Sequence, residues 1–151
     1  MDELGQLRVY VSSEHFPLYH QIAKCRLFQQ NSEFFILCAV IGEKYKIPVD
    51  VKNKKELCRA VTLSAYDRTI VKSLYYKGHK QLVDFKTMLQ YAEKCAYAGF
   101  HYLMINEFTS YIYVIKNEEG QEEYHLKQEQ ENDLQLALFN YVLAAKQEVP
   151  F

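Results

Sequence analysis

The residues of this chain that could do chemistry are mainly basic, and they are concentrated in its middle third. Between residues 44 and 86, eleven lysines and arginines stand against four acidic residues, a balance of +7. Clustered cations neutralise nucleic-acid phosphates and release counterions, which gives salt-sensitive binding that tolerates many sequences. Tyr75 and Tyr76 lie among them and could stack on bases. The candidate nucleic-acid-binding residues are Lys52, Lys54, Lys55, Arg59, Arg68, Lys72, Lys77 and Lys80.

The C-terminal part of the chain carries the opposite charge. Residues 107–151 contain nine acidic residues against three basic ones, a balance of −6, and the whole chain has a net charge of −1. A basic middle followed by an acidic end indicates either a nucleic-acid footprint or a self-complementary association between parts or copies of the chain. Two solvated charged faces would give the same pattern.

The residue patterns of familiar enzymes are missing from the sequence. The five glycines are isolated and form no phosphate-binding loop, and there is no serine motif of the G-x-S-x-G type. No two of the five histidines are three or four positions apart, so no helix presents two histidine metal ligands. The sequence therefore predicts no catalytic residue, no metal site and no cofactor, and we expect a protein that is not an enzyme.

The cysteines and the lengths of the apolar runs indicate the cellular compartment of the protein. No C-x-x-C pair exists, and the cysteines lie mostly in apolar stripes, where thiols are normally inert. We expect free thiols in a reducing compartment. No apolar run approaches the ~18 residues of a membrane span, so we expect a cytoplasmic protein that does not contact membrane.

An unfamiliar enzyme site would need a polar pocket around His79, His101 or a cysteine. The four cysteines are Cys25, Cys38, Cys58 and Cys95.

One stretch organises the elements that would position these residues. Residues 84–103 open with Asp84, a candidate N-cap, and continue with apolar residues at three- and four-residue spacing. Gly99 stands where such a helix would end, since glycine adopts the left-handed conformation without steric cost. The pattern predicts a core helix with both ends marked, followed beyond a kink at Gly99 by another turn or two of helix over residues 100–108.

The segments before this helix also have mostly helical patterns. The apolar run over residues 33–44 predicts a buried helix that ends near Gly42. Ser64 and Asp67 have the spacing of a capping box and predict the start of another helix. Residues 52–63 have few apolar points and indicate a short helix or an irregular arm.

Two short segments have the alternating pattern of strands. Residues 7–11 indicate a short strand, and residues 109–115 indicate a second one that is rich in Tyr and Ile. A turn at 117–120 would return the chain to a partner strand at 124–127, and a final helix should begin at residue 132 or 133. We therefore predict a mainly α fold: a single-domain helical bundle over residues 1–151, with five or six helices and a small β-hairpin near residues 110–127.

The order of several motifs is similar to one known family. A buried helix ends near an Ile-Gly pair, a proline-containing connector follows, then a Leu-Ser-x-x-Asp helix start, and then a Tyr-Ala…Gly helix. In this order residues 34–103 resemble the small accessory proteins that accompany bacterial DNA phosphorothioation (Dnd-type) modification and restriction systems. The residues that carry the resemblance are Ile41, Gly42, Pro48, Leu63, Ser64, Asp67, Tyr91, Ala92 and Gly99.

The resemblance covers under half of the chain and implies a non-catalytic partner in an anti-phage or DNA-modification context. The leading hypothesis is a non-enzymatic accessory or adaptor protein of a bacterial defence, DNA-modification or mobile-element locus. It would act through contacts with a protein partner or through self-association. The alternative is a protein that binds nucleic acid directly through a basic face at residues 52–80. Direct binding should weaken steeply with salt, whereas the adaptor function should not.

Overall fold

The computed structural model describes residues 3–23, 31–45, 50–127 and 131–148. Over these residues the fold is mainly helical, as predicted, and it contains two separate antiparallel strand pairs. That the chain forms one helical-bundle domain stays a prediction. In chain order the elements are α1 (Glu3–Gln6), β1 (Arg8–Ser12), α2 (Phe16–Ala23), α3 (Asn31–Lys44), β2 (Lys54–Arg59), α4 (Ala65–His79), α5 (Phe85–Asn106), β3 (Ile112–Lys116), β4 (Glu122–Leu126) and α6 (Glu131–Glu148), with 3-10 turns at Ala60–Thr62 and Thr109–Tyr111.

The hairpin predicted near residues 110–127 is confirmed. Strands β3 and β4 pair antiparallel, with Ile112 opposite Leu126 at the open end. At the closed end, the side-chain oxygen of Asn117 accepts hydrogen bonds from the backbone N–H groups of Glu119 and Gln121, at 2.9 and 3.0 Å. The turn chemistry is local, which is why the sequence alone predicts this hairpin.

The second strand pair includes a segment for which the sequence prediction was wrong. Residues 52–63 were predicted as a short helix or an irregular arm, but β2 is a strand that pairs antiparallel with β1. Val9 lies opposite Cys58 and Val11 lies opposite Lys55. The partner strand stands more than forty residues earlier in the chain, so local pattern contains no signal of the pairing.

The helix α5 packs most extensively against α3, and two glycines lie where these helices cross. Gly42 was predicted to lie near the end of its helix, and α3 does end shortly after it, at Lys44. Gly99 was predicted to end the core helix before a further turn or two, but α5 runs as one helix past Gly99 to Asn106. A Cβ atom on Gly42 would lie 1.8 Å from the carbonyl oxygen of Cys95. A Cβ atom on Gly99 would lie 1.8 Å from the carbonyl oxygen of Cys38. The glycines therefore permit close backbone approach rather than a left-handed turn.

The predicted starts of two helices are seen in detail. At α4, the Ser64 hydroxyl accepts from the Asp67 amide at 3.0 Å and the Asp67 carboxylate accepts from the Ser64 amide at 3.4 Å, so the capping box is confirmed. Asp84 occupies the N-cap position of α5, but its carboxylate accepts from the Thr87 hydroxyl at 2.6 Å instead of from a backbone amide. The helix α6 begins at Glu131, just before the predicted start. The predictions for Cys25 and Pro48 lie outside the described residues.

Candidate functional site

The predicted basic residues fall on two elements. Lys54, Lys55 and Arg59 belong to β2 and Lys52 precedes it, whereas Arg68, Lys72 and Lys77 belong to α4 and Lys80 follows it. Seven of the eight side chains are exposed, and the half-buried Arg68 donates to the Leu63 carbonyl oxygen at 2.7 Å. Their role in binding nucleic acid stays a prediction.

Part of this positive charge is used within the fold. The Lys77 ammonium lies 3.5 Å from the carboxylate of Glu43, which is buried on α3. The Lys55 ammonium lies 4.1 Å from the centre of the Phe16 ring, a cation–π distance. The positive charge of residues 52–80 that is left without a contact is therefore smaller than a count along the sequence indicates.

A cleft between the β1–β2 pair and α5 brings together cations that are distant in sequence. One cavity of about 240 Å³ is lined by Arg8, Lys54 and Lys86, and an adjoining cavity of about 230 Å³ is lined by Lys54 and Lys94. Glu93 lines both cavities, and we call the pair the Glu93 cleft. Of its cations, only Lys54 belongs to the set predicted from the sequence.

Glu93 is a buried acid, with 4% of its surface exposed. Burial raises its pKa to about 7, while a hydrogen bond from the Tyr10 amide at 2.9 Å and the positive charge of Lys54 act in the opposite direction. Glu93 is not among the residues predicted from the sequence. A signal was present, because Glu93 lies four residues after Leu89 and three before Ala96, on the apolar stripe of α5.

A second polar group lies inside the fold, where α2, α5 and β4 meet. The Nε2 atoms of His15 and His101 are 3.0 Å apart, so one nitrogen donates a hydrogen bond and the other accepts it. The His15 ring stacks on Phe100 with 3.8 Å between ring centres, and the Tyr124 hydroxyl lies 3.4 Å from Nδ1 of His101. We call His15, His101 and Tyr124 the histidine cluster. Sequence analysis did not single out His15, because its partners come from distant elements.

Hydrogen bonds beside the histidine cluster join β4 to α2 and to the turn that precedes it. The Tyr124 amide donates to the Glu14 carbonyl oxygen at 3.0 Å, and the Leu126 amide donates to the side-chain oxygen of Gln21 at 2.6 Å. Burial lowers the pKa of His15 well below its usual value, and the nearby His101 adds to the effect. Burial also lowers the pKa of His101. A proton added to the histidine whose Nε2 accepts would leave two donors facing each other.

The histidine cluster should therefore destabilise the native state on acidification. The native pKa values of His15 and His101 are depressed, so their contribution is present above the unfolded-state value near 6.5 and is lost as pH falls through the native values. Relative to the parent, His15→Gln should gain unfolding free energy as pH falls from 7 to 5, measured by urea titration. His20→Gln, at an exposed position on α2, is the control and should keep the parent slope. An unchanged slope in His15→Gln would contradict this prediction.

The helix α6 exposes apolar side chains on the face opposite its packed one. Leu134 and Leu138 are fully buried, whereas Leu136, Phe139 and Leu143 are 60%, 50% and 43% exposed. The three exposed residues follow one another at spacings of three and four, which places them on one stripe of the helix. We call them the α6 outer stripe.

The comparisons with known proteins give no identity. No protein-family model, curated protein or solved structure matches the chain. Within the described ranges, no three His, Cys, Asp or Glu side chains come together as a metal site. The helices over the same residues include none that is long and apolar enough to span a membrane. The resemblance to the accessory proteins of Dnd-type systems stays a prediction.

Proposed function

We propose that the protein is a non-enzymatic adaptor that binds a partner protein through the α6 outer stripe. The observation that carries the proposal is the second apolar face of α6. A helix that is apolar on both sides is usually buried on both sides, and an exposed apolar patch is typical of an interaction site. Leu136, Phe139 and Leu143 supply that face.

The partner element that fits this stripe is an amphipathic helix with basic flanks. Spacings of three and four residues form a seam into which the apolar side chains of a second helix can pack. Residues 107–151 carry nine acidic residues against three basic ones, so lysines and arginines beside the partner's apolar stripe would complement the charge.

The setting of this adaptor is part of the proposal. The resemblance of residues 34–103 supports a bacterial defence, DNA-modification or mobile-element locus, with a phage-defence or DNA-associated role. The free thiols of Cys38, Cys58 and Cys95 support the cytoplasm, where thiols stay reduced.

Site-specific photo-crosslinking in the native host tests the interface. A photoreactive amino acid at Phe139 should crosslink to a different protein, and mass spectrometry should locate the crosslink in a basic amphipathic helix. The same group at Tyr66 on α4, which is 74% exposed, is the control and should not capture that protein. Phe139→Ala should weaken binding of the captured partner by more than about tenfold, as expected for an aromatic hot spot.

Two outcomes would overturn the adaptor proposal. One is that the probe at Phe139 captures nothing beyond what the probe at Tyr66 captures. The other is that it captures only a second copy of this chain, which would make the α6 outer stripe a self-association surface.

Direct nucleic-acid binding is the second candidate, and the exposure of seven of the eight predicted basic side chains favours it. Binding to labelled single- and double-stranded DNA should then fall steeply between roughly 50 and 200 mM salt, and combined replacement of Lys54, Lys55 and Arg59 by Ala should weaken it further. Absence of binding at both salt concentrations would exclude this candidate.

A further inference from the structure

The Glu93 cleft contains an arrangement of charge that the adaptor function does not use. Its cations come from three elements: Arg8 from β1, Lys54 from β2, and Lys86 and Lys94 from α5. No segment of the sequence contains all four, and only the packing of the β1–β2 pair against α5 brings them to one place.

Two of these cations already have partners. The Arg8 guanidinium lies 3.4 Å from the Glu56 carboxylate and also donates to the carbonyl oxygens of Gly5 and Leu7. The Lys94 ammonium lies 3.3 Å from the Asp50 carboxylate.

The other two cations are available to a ligand. Neither Lys54 nor Lys86 has an ion-pair partner among the described residues, and both line the cavity of about 240 Å³. Because both side chains line the same small cavity, their ammonium groups could hold an anion there through charge-assisted hydrogen bonds.

Glu93 adds a group that can either admit or reject an anion. One of its oxygens accepts from the Tyr10 amide, and the buried carboxyl group lines both cavities of the cleft. An ionised Glu93 would repel an anion beside it. A protonated Glu93 is a hydrogen-bond donor, and it matches an anion whose oxygens only accept.

We propose that the Glu93 cleft binds a phosphate group, with Lys54 and Lys86 contacting its oxygens and protonated Glu93 donating a hydrogen bond to it. Binding takes up a proton at those Glu93 carboxylates that are ionised before the phosphate binds. The other charged groups that line the two cavities are Arg8, Asp50 and Lys94, and each has its own partner. The phosphate belongs either to a free nucleotide or to the backbone of a single-stranded nucleic acid, and the site does not depend on the α6 outer stripe.

Isothermal titration calorimetry at low salt tests the site directly. A dinucleoside monophosphate is a suitable probe because its single phosphodiester carries one charge at both pH 6 and pH 8. The affinity should be about tenfold higher at pH 6, because only a small fraction of Glu93 is protonated at pH 8. Glu93→Gln should remove most of this ratio, since an amide does not titrate.

The lysine variants locate the site within the fold. Lys54→Ala and Lys86→Ala should each weaken binding by about tenfold or more, the loss expected when one charge-assisted hydrogen bond is removed. Lys116→Ala, at an exposed position on β3, is the matched control and should bind like the parent. All of these positions except Glu93 are exposed, so the lysine variants should keep the parent circular dichroism spectrum.

Comparing AMP and a ten-residue single-stranded oligonucleotide identifies the source of the phosphate. Tighter binding of the oligonucleotide than of the dinucleotide supports a nucleic-acid backbone, and tighter binding of AMP supports a free nucleotide. Three results would overturn the proposal: no heat of binding with any of the three probes, binding that survives both lysine substitutions, or the same pH ratio in Glu93→Gln as in the parent.

Discussion

Gly42→Ala and Gly99→Ala should each lower the free energy of unfolding by about 3 kcal/mol or more, at the upper end of the range for overpacked cores. The added methyl group would lie 1.8 Å from a backbone carbonyl oxygen, of Cys95 in the first variant and of Cys38 in the second. Backbone atoms inside a helix have no rotamer to which they can retreat. The two helices must therefore separate, and the core on both sides of the crossing loses its close packing.

Urea unfolding monitored by circular dichroism measures this effect, with Gly78→Ala as the matched control. Gly78 lies within α4, and a Cβ atom there would lie 3.0 Å from the Tyr91 hydroxyl oxygen, at the end of a side chain that can shift. Alanine is intrinsically better than glycine in a helix by about 1 kcal/mol, so Gly78→Ala should stay within about 1 kcal/mol of the parent. Equal stabilities for all three variants would contradict the close crossing of α3 and α5.

Between pH 5 and pH 8, the free energy of unfolding of Glu93→Gln should rise by about 2 kcal/mol relative to that of the parent. This magnitude follows from the pKa shift of Glu93 between the unfolded and native states. Its native pKa of about 7 lies above the ordinary value of 4.5, so the native state holds a proton that the unfolded chain releases. The contribution of the neutral acid to stability is present at low pH and is lost as pH rises through 7. The amide that replaces the carboxyl group in this variant has no charge to bury at any pH in this range.

Unfolding free energies of the parent and of Glu93→Gln at several pH values between 5 and 8 test this expectation. Glu119→Gln, in the exposed turn of the hairpin, is the control and should track the parent across the range. A constant difference between Glu93→Gln and the parent at all pH values would show that Glu93 has no raised pKa in the native state.

The histidine cluster and Glu93 should change the free energy of unfolding in opposite directions as pH changes. Protonation of the buried histidines destabilises the native state as pH falls, and ionisation of Glu93 destabilises it as pH rises. We therefore expect maximum stability between these two limits. Relative to the parent, His15→Gln should gain stability as pH falls and Glu93→Gln should gain stability as pH rises, which separates the two groups experimentally.

The elements that the sequence predicts well are those whose signals are local. The capping box of Ser64 and Asp67 lies within four residues, and the turn around Asn117 closes the hairpin through its own neighbours. The helical periodicity of residues 33–44 and 84–103 predicts α3 and α5, because an apolar stripe can be recognised in the sequence without knowing which element packs against it.

The features that depend on distant contacts required the tertiary structure. The strand β2 exists as a strand because β1 pairs with it. In the sequence, Gly42 and Gly99 resemble helix ends. A glycine after an apolar stripe can end a helix or can allow another helix to approach closely, and the sequence pattern is the same in both cases. Only the position of the opposing backbone distinguishes these two roles.

The candidate sites show the same division. The sequence alone determines the basic middle and the acidic end, since composition contains them, whereas the exposed apolar stripe of α6 was found in the structure. The tertiary structure decides that Lys54 and Lys86 share a cavity with Glu93, and that His15 meets His101 across 86 positions of the chain. The physical reason is that burial and neighbouring charge set the protonation state of a side chain, and both are properties of the folded packing rather than of the residue type.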